Sequence, residues 1–256
     1  MIWALSKSEI DSFNEYGFLL KKQVFSHFEI EDLSRRFETL RQKGLKFEST
    51  TDIEGARYVI ENKILQRIVW CGGADSKLLK TGEDLRILEP VSQLLKSQEM
   101  LQLISQAHIK MPGDGVRFEW HQDSQHRGYG TSDWVDLNNE GSYIQTLIPI
   151  DEVYPNSGSL MVYPKSHQKG HLRLDVAGRF ESEFNEFEAI RVPLEPGDLL
   201  LFGPYLVHGS FENRSKFPRR VFINGYAYPG ANKRIYPGAG SGRMLSVRRL
   251  ENQTTV

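Results

Sequence analysis

The sequence contains a single cysteine, Cys71, among its 256 residues. One cysteine excludes an internal disulfide, and with it the usual reason to expect an oxidising compartment. No apolar run approaches the roughly 20 residues that a membrane-spanning helix needs, and residues 1–5 lack the basic flank of a signal peptide. We therefore expect a soluble cytoplasmic protein in which Cys71 is a small buried side chain.

An excess of charge of either sign is also missing. The 32 Lys and Arg residues nearly balance the 33 Asp and Glu residues, which leaves a formal net charge of −1. This balance argues against an electrostatic partner such as a nucleic acid or a membrane surface, and leaves a small molecule as the expected ligand. The length and the ordinary apolar content are those of one globular domain, which we place at residues 1–256.

Two capping-box patterns predict helices near the start of the chain. Ser6-x-x-Glu9 precedes apolar residues at helical spacing and a stop at Gly17, with a short strand expected at residues 18–20. Ser26-x-x-Glu29 precedes a longer apolar stripe that ends at Gly44 and comprises Ile30, Leu33, Phe37 and Leu40. Both segments are predicted to pack one face against a core.

The stretch from 45 to 90 gives no clear pattern of its own. Pro90 is predicted to begin a helix, because proline is tolerated at the first helical position. The residues that follow it at helical spacing, and are expected to share one face of that helix, are Val91, Leu94, Leu95, Met100 and Ile104.

From about residue 106 the pattern changes to short apolar runs separated by Gly, Pro and Asn. These runs cover 106–111, 116–123, 143–150, 159–163, 189–194, 198–202 and 220–228. Many strands with little helix between them predict a mainly β fold with flanking α-helices, built as a sandwich or barrel of antiparallel strands. We divide the domain into a helical part at 1–105, a β core at 106–228 and a tail at 229–256.

The segment that carries chemistry is Phe-Glu-Trp-His-Gln-Asp at residues 118–123. On a strand, residues two apart point to the same face, so His121 and Asp123 are expected to offer an imidazole and a carboxylate to one ion. A second histidine would complete the two-histidine, one-carboxylate triad of non-haem Fe(II) oxygenases. The pair alone is common by chance, so the remaining histidines must decide.

His208 is the histidine that best fits the third position. It follows a tight turn and an apolar strand in residues 195–204, and Ser210 and Arg219 lie downstream of it. The remaining histidines lack this combination of an apolar lead-in and a downstream cation: His27, His108, His126, His167 and His171.

Taken in order, this set resembles the phytanoyl-CoA dioxygenase family of Fe(II)/2-oxoglutarate-dependent oxygenases, which includes ectoine hydroxylase. Further matching pieces are Trp120, the Asn-Ser-Gly-Ser-Leu at 156–160, the turn at 163–170 and Pro-Gly-Asp at 196–198. The resemblance extends from residue 5 to about 228, and Lys165 stands where the family usually has glycine. It implies a double-stranded β-helix, the jelly-roll or cupin-like core, with flanking helices.

The resemblance also implies roles for individual residues. His121, Asp123 and His208 would bind Fe(II) and form the catalytic centre. Arg219 would pair with the distal carboxylate of the cosubstrate 2-oxoglutarate, because a planar guanidinium matches a carboxylate, and Ser210 would hydrogen-bond the same group. Arg220 is the competing choice, since neighbours on a strand face opposite ways, but the spacing favours Arg219.

Three further polar residues occupy positions at which relatives contact the cosubstrate. Gln106 and Lys110 precede the metal motif, and Gln145 lies on the next predicted strand. For each of them a structural or exposed role fits the sequence as well as a contact with 2-oxoglutarate.

The family reaction consumes O2 and 2-oxoglutarate and yields succinate, CO2 and a hydroxylated product. Halogenating relatives replace the carboxylate ligand with a small residue, so the presence of Asp123 predicts hydroxylation. Two alternatives stay open at this point: a divalent-metal hydrolase that uses the same ligands, and a non-enzymatic cupin-like binding protein.

The substrate pocket is expected to draw on residues 45–90, the loop at 124–141 and the C-terminal tail. These segments are polar and aromatic, which suits a small polar metabolite of the amino acid, betaine or aminophosphonate type. The loop residues singled out as candidate pocket lining are Arg127, Tyr129, Asp133, Trp134 and Asp136.

Overall fold

The computed structural model describes residues 3–154, 156–174, 179–185 and 188–248. Its helices are α1 (Lys7–Tyr16), α2 (His27–Gly44), α3 (Cys71–Ala74), α4 (Ser76–Thr81), α5 (Leu85–Leu95), α6 (Asp123–Arg127) and α7 (Arg179–Glu183), with a 3₁₀ turn at Ser166–Lys169. No described helix has both the length and the apolar character required to cross a membrane.

Thirteen strands are described, and they form two antiparallel sheets. The strands are β1 (Phe18–Lys21), β2 (Thr51–Ile53), β3 (Ala56–Glu61), β4 (Ile64–Val69), β5 (Glu99–Lys110), β6 (Phe118–His121), β7 (Tyr143–Pro149), β8 (Leu160–Val162), β9 (Ile190–Arg191), β10 (Leu199–Phe202), β11 (His208–Ser210), β12 (Arg219–Ala227) and β13 (Arg243–Ser246). The large sheet has the order β1-β10-β7-β12-β5-β4-β3-β2, with β13 also pairing with β5. The small sheet has the order β6-β11-β8-β9.

Both faces of the large sheet are covered by other elements, as the alternating side chains of β12 show. Phe222 belongs to the apolar cluster that contains the buried residues of α2 and α5, whereas Val221 and Ile223 belong to a cluster shared with β8 of the small sheet. Side chains alternate between the two faces of a strand, so helices cover one face and the small sheet covers the other. This arrangement confirms the predicted mainly β fold with flanking helices.

Both predicted capping boxes are present. Ser6 accepts a hydrogen bond from the Glu9 backbone while the Glu9 carboxylate accepts one from Ser6, and α1 ends at Gly17 with a φ of +85°. Ser26 and Glu29 repeat the pattern at the start of α2. The predicted stripe of α2 is buried, and the Phe37 ring packs edge-on against Phe222 at 5.8 Å between centroids.

The prediction that Pro90 begins a helix is wrong. The helix α5 begins after Asp84, whose carboxylate accepts a hydrogen bond from the Arg86 backbone at 2.9 Å, and Pro90 lies inside the helix. Lys96 ends it with a φ of +58°. Of the residues predicted to share the helical face, Met100 and Ile104 instead lie on β5.

The stretch that gave no clear pattern forms a three-stranded extension of the large sheet. The turns between β2 and β3 and between β3 and β4 each have two residues with positive φ, Glu54-Gly55 and Asn62-Lys63. Such turns suit tight hairpins because they match the twist of the strands. The part predicted as helical at 1–105 therefore contributes strands too, β5 begins at Glu99, and the tail at 229–256 contributes β13.

Cys71 is fully buried, as expected. Burial raises the pKa of its thiol to about 12, so the sulfur is uncharged at neutral pH.

We predict that Phe37→Ala lowers the free energy of unfolding by about 3–5 kcal/mol, because it leaves a cavity between α2 and the large sheet. The matched control is Phe28→Ala in the same helix, where the side chain is 80% exposed and the expected change is below about 0.5 kcal/mol. Urea unfolding measures both values. Equal losses for the two variants would contradict the packing described for α2.

Candidate metal centre

His121 and His208 lie directly opposite each other on neighbouring strands of the small sheet. The register pairs His208 of β11 with His121 of β6, and a bulge follows before Ser210. The two imidazole rings are 4.3 Å apart between centroids. The pairing of these two short strands therefore joins histidines that are far apart in the sequence.

Asp123 joins them, although not for the predicted reason. β6 ends at His121, and Asp123 is the first residue of α6 rather than part of the strand. The residue between them, Gln122, is fully buried and its amide donates to the carbonyls of Gly170 at 2.8 Å and Tyr205 at 2.6 Å. Gln122 thus anchors the chain where it turns from β6 into α6. Potential ligand atoms of His121, Asp123 and His208 lie within 4.8 Å of one another.

The hydrogen bonds of both imidazoles define which nitrogen can bind a metal. Nδ1 of His121 lies 2.6 Å from the Glu119 carbonyl, and Nδ1 of His208 lies 2.9 Å from the Leu206 carbonyl. A carbonyl only accepts, so each Nδ1 carries the proton and each Nε2 keeps a free electron pair. Burial lowers the pKa of both rings, to about 4 for His208, which favours the neutral, metal-binding form.

The carboxylate of Asp123 is also suited to an ion. The side chain is buried, and its Oδ2 atom has no hydrogen-bond partner in the described part of the chain. A buried carboxylate oxygen without a partner is costly unless a cation binds it. Two neutral imidazoles and one free carboxylate oxygen fit a divalent transition-metal ion.

A cavity of about 580 Å³ opens beside these three residues. One wall is the inner face of the large sheet, which contributes side chains of β3, β4, β5, β7 and β12, and the opposite wall includes β6 and β11. The volume lies in the ordinary range for small-molecule sites.

Arg219 lies in the cavity wall, and Arg220 does not. Arg219 is buried, donates from Nε and Nη2 to the Gly158 carbonyl, and forms no ion pair with a described residue. Burial lowers the pKa of Arg219 to about 10, which still leaves it charged at neutral pH. Arg220 faces the other way and binds both carboxylate oxygens of Asp151, at 2.6 and 2.8 Å.

Ser210 lies in the cavity wall beside Arg219, but Lys110 does not line the cavity. The Lys110 amino group is fully buried behind β11, where it donates to the Ser210 carbonyl at 2.9 Å, the Ser210 hydroxyl at 2.8 Å and the Phe211 carbonyl at 2.6 Å. Its place in the structure is therefore to hold the end of β11 and the hydroxyl of Ser210.

Gln106 and Gln145 both line the cavity. The Gln145 side-chain oxygen accepts from the Tyr143 hydroxyl, which in turn accepts from Arg127 at 3.1 Å. The oxygen of Gln106 lies 2.8 Å from Nε2 of His108. Because both amide oxygens are engaged, the amide nitrogens remain as hydrogen-bond donors for a ligand.

The three segments expected to form the substrate pocket all reach the cavity. Arg57 and Arg67 come from 45–90, Arg127 from the loop at 124–141, and Tyr236 from the tail. The other loop residues singled out from the sequence, however, do not line it: Tyr129, Asp133, Trp134 and Asp136.

Those loop residues have structural contacts instead. The rings of Tyr129 and Trp134 stack at 4.9 Å within the buried core. The Asp136 carboxylate accepts from the Gly141 backbone and from the Ser142 hydroxyl, each at 2.9 Å. The polar and aromatic residues of this loop therefore stabilise the conformation of the loop itself.

Sequence reasoning missed three residues of the site. His126 lies one helical turn after Asp123, and its ring is 5.1 Å from that of His121. Arg67 enters the cavity from β4, and Gln122 anchors the chain between two ligands. The sequence carried a signal only for His126, since residues three apart lie on one helix face.

Comparison with known sequences adds three findings. A family model described as phytanoyl-CoA dioxygenase matches residues 13–221. A methylphosphonate hydroxylase of Gimesia maris is 35% identical over 86 residues, a match that spans 33% of this chain and only 33% of that relative. The peroxisomal phytanoyl-CoA dioxygenase of Bos taurus is 25% identical over 233 residues, which cover 85% of this chain and 67% of the bovine one.

Solved structures with the same fold include EctD, HygX and EvdO2. EctD from S. alaskensis superposes with a TM-score of 0.69 at 20% identity, covering 93% of this chain and 82% of its own. HygX from Streptomyces hygroscopicus, with nickel and 2-oxoglutarate bound, gives 0.66 at 20% identity, with 89% and 88% covered. EvdO2 from Micromonospora carbonacea var. aurantiaca gives 0.68 at 21% identity, with 92% and 96% covered.

These likenesses confirm the predicted jelly-roll core with its flanking helices. The family match extends over most of the chain and contains all three candidate metal ligands. The chain belongs to the phytanoyl-CoA dioxygenase family.

Proposed function

We propose that this protein is an Fe(II)- and 2-oxoglutarate-dependent oxygenase that hydroxylates a small polar metabolite of the amino acid, betaine or aminophosphonate type. The observation that carries the proposal is the convergence of His121, Asp123 and His208 beside a cavity whose wall holds Arg219, a buried cation that forms no ion pair with any described residue. The family match supports it.

The metal would be held by Nε2 of His121, a carboxylate oxygen of Asp123 and Nε2 of His208, because these are the atoms that protein hydrogen bonds leave free. When bound, Fe(II) and 2-oxoglutarate supply the oxidation, in which O2 and the cosubstrate yield succinate, CO2 and a hydroxylated substrate. The protein supplies the ligands, the orientation of both small molecules and a site partly shielded from water.

Arg219 and Ser210 would bind the distal carboxylate of 2-oxoglutarate. A buried guanidinium is stabilised by an anion, and the one described partner of Arg219 is the neutral carbonyl of Gly158. Lys110 positions the Ser210 hydroxyl at the same end of the cavity. A dicarboxylate would thus satisfy the metal at one end and the arginine at the other.

Asp123 favours hydroxylation over halogenation. Halogenation would require a vacant coordination site in place of the carboxylate ligand, and the buried Asp123 carboxylate would occupy that site. Two relatives support the assignment by what their names state: HygX binds nickel and 2-oxoglutarate, and the Gimesia maris protein hydroxylates methylphosphonate.

The proposal is tested by adding Fe(II) and then 2-oxoglutarate without oxygen. We expect a weak visible charge-transfer band from the chelated cosubstrate, followed by succinate release once O2 is admitted. A metal hydrolase would bind the metal but give neither band nor succinate, and a cupin-like binding protein would give no metal-dependent turnover. Absence of both the band and succinate refutes the oxygenase assignment.

We predict that His208→Ala abolishes succinate formation and weakens Fe(II) binding at least about tenfold, because it removes one of three ligands. Equilibrium dialysis under anaerobic conditions measures the binding. The matched control is His27→Ala, which changes a histidine whose side chain is 79% exposed and should leave both quantities unchanged. Substantial turnover by His208→Ala would show that another residue is the third ligand.

We predict that Arg219→Gln raises the KM for 2-oxoglutarate at least about tenfold, since it removes a charged partner of the distal carboxylate. Its neighbour supplies the control, because Arg220→Gln breaks the pair with Asp151 on the opposite face. That variant should lose about 3 kcal/mol of folding stability and keep the wild-type KM. The reverse pattern would assign the cosubstrate to Arg220.

A further inference from the structure

Arg67 places an unpaired positive charge in the cavity wall. It lies on β4 opposite His108 of β5, and both side chains line the cavity together with Arg57 of β3. Within the described residues the Arg67 side chain has no hydrogen bond and no ion pair. Arginine side chains in or near a protein interior usually have a partner, so this one is available to a ligand.

The neighbouring Arg57 provides a contrast. Its Nε and Nη2 atoms bind the two carboxylate oxygens of Asp52, both at 2.7 Å. The charge of Arg57 is therefore already neutralised by the protein. Among the described residues, the acid whose charge raises the pKa of Arg67 is Glu61, and Glu61 forms no ion pair with Arg67.

Arg67 is also partly removed from solvent. The side chain is half-buried, and burial lowers its pKa. Burial likewise lowers the pKa of His108, which lies opposite Arg67, and the charge of Arg67 lowers that pKa further. Because water screens a half-buried charge less than an exposed one, the guanidinium can act on a ligand in the cavity.

The charges of the cavity indicate what the ligand must carry. Three lining arginines lack a carboxylate partner among the described residues, namely Arg67, Arg127 and Arg219, and the single lining carboxylate is Asp123. The two positive charges of Fe(II) and the two negative charges of 2-oxoglutarate cancel. Two positive charges then remain in excess, and a low-dielectric cavity makes such an excess unfavourable until an anion binds.

We propose that Arg67 binds the doubly charged oxyanion of the substrate, a small phosphonate or phosphate monoester, and so determines substrate specificity. This inference rests on the Fe(II)/2-oxoglutarate oxygenase activity proposed above, and it favours a dianionic substrate over the amino acid and betaine types. A guanidinium donates from several nitrogens to the oxygens of a tetrahedral dianion. The cavity of about 580 Å³ must also contain 2-oxoglutarate, so the remainder of the substrate is small. The carbon that is oxidised would lie between Arg67 and the metal.

The test compares three probes of similar shape on the anaerobic protein loaded with Fe(II) and 2-oxoglutarate. Methylphosphonate and methyl phosphate carry two charges above neutral pH, whereas methanesulfonate carries one. Isothermal titration calorimetry measures binding without turnover. We expect each dianion to bind at least about tenfold more tightly than methanesulfonate. The tighter of the two dianions, together with its stimulation of succinate release, identifies the source of the oxyanion.

Substitutions of Arg67 test whether this residue binds the dianion. Arg67→Gln should weaken methylphosphonate binding at least about thirtyfold, while the charge-transfer band, the KM for 2-oxoglutarate and the unfolding midpoint stay at wild-type values. Arg67→Lys keeps the charge without the guanidinium fork and should give an intermediate affinity. The matched control is Arg35→Gln on the exposed face of α2, where the side chain is 70% exposed.

The experiments distinguish a failure of the proposed function from a failure of the inference about Arg67. A wild-type protein that shows neither the charge-transfer band nor succinate release refutes the proposed function itself. With the band present, the inference about Arg67 is overturned by any of three results: no dianion binds, methanesulfonate binds as well as methylphosphonate, or Arg67→Gln binds methylphosphonate like the wild type. If Arg67→Gln proves unstable, the affinity of Arg67→Lys decides, and a wild-type value there contradicts a guanidinium contact.

Discussion

The pairing of β6 with β11 is the constraint on which the site depends. It sets His121 opposite His208 within a small sheet of four described strands, and the bulge beyond His208 leaves Ser210 at the cavity wall. Antiparallel neighbours in register bring the Cβ atoms of opposite residues within about 5 Å, which lets two imidazoles reach one ion. Gln122 completes the arrangement by anchoring the chain where it leaves β6 and enters the helix that carries Asp123.

The large sheet contributes a complementary property, which is positive charge without an acidic partner among the described residues. Burying a guanidinium costs free energy that a protein usually recovers with a carboxylate, as Arg220 does with Asp151. Arg219 and Arg67 break that rule on the cavity side. In our account their partners are small molecules, so the apoprotein retains an electrostatic strain that binding of the cosubstrate and substrate would relieve.

Features set by residues close together in the sequence could be predicted, whereas features set by the pairing of distant strands could not. The capping boxes of α1 and α2 are set by residues three apart, and both were predicted correctly. Pro90 was misplaced because proline is tolerated at a helix start, whereas the helix begins earlier, at the Asp84 cap. Met100 and Ile104 were assigned to the helix because apolar spacing continued across the helix end at Lys96 into β5. Arg67 could not be recognised, because its position follows from the pairing of β4 with β5, which joins distant parts of the chain. The motif around His121 and Asp123 was informative although its residues do not share one strand.

X-ray absorption spectroscopy of the Fe(II)-loaded protein tests the assignment of the metal ligands, because it counts the imidazoles bound to the metal. We expect scattering from two histidine rings, together with oxygen ligands and no sulfur, and one ring fewer in His208→Ala. We also expect that 2-oxoglutarate changes the oxygen shell and leaves both rings bound. A wild-type spectrum with fewer than two imidazoles, or one unaffected by His208→Ala, would contradict the assignment of His121, Asp123 and His208 as the metal ligands.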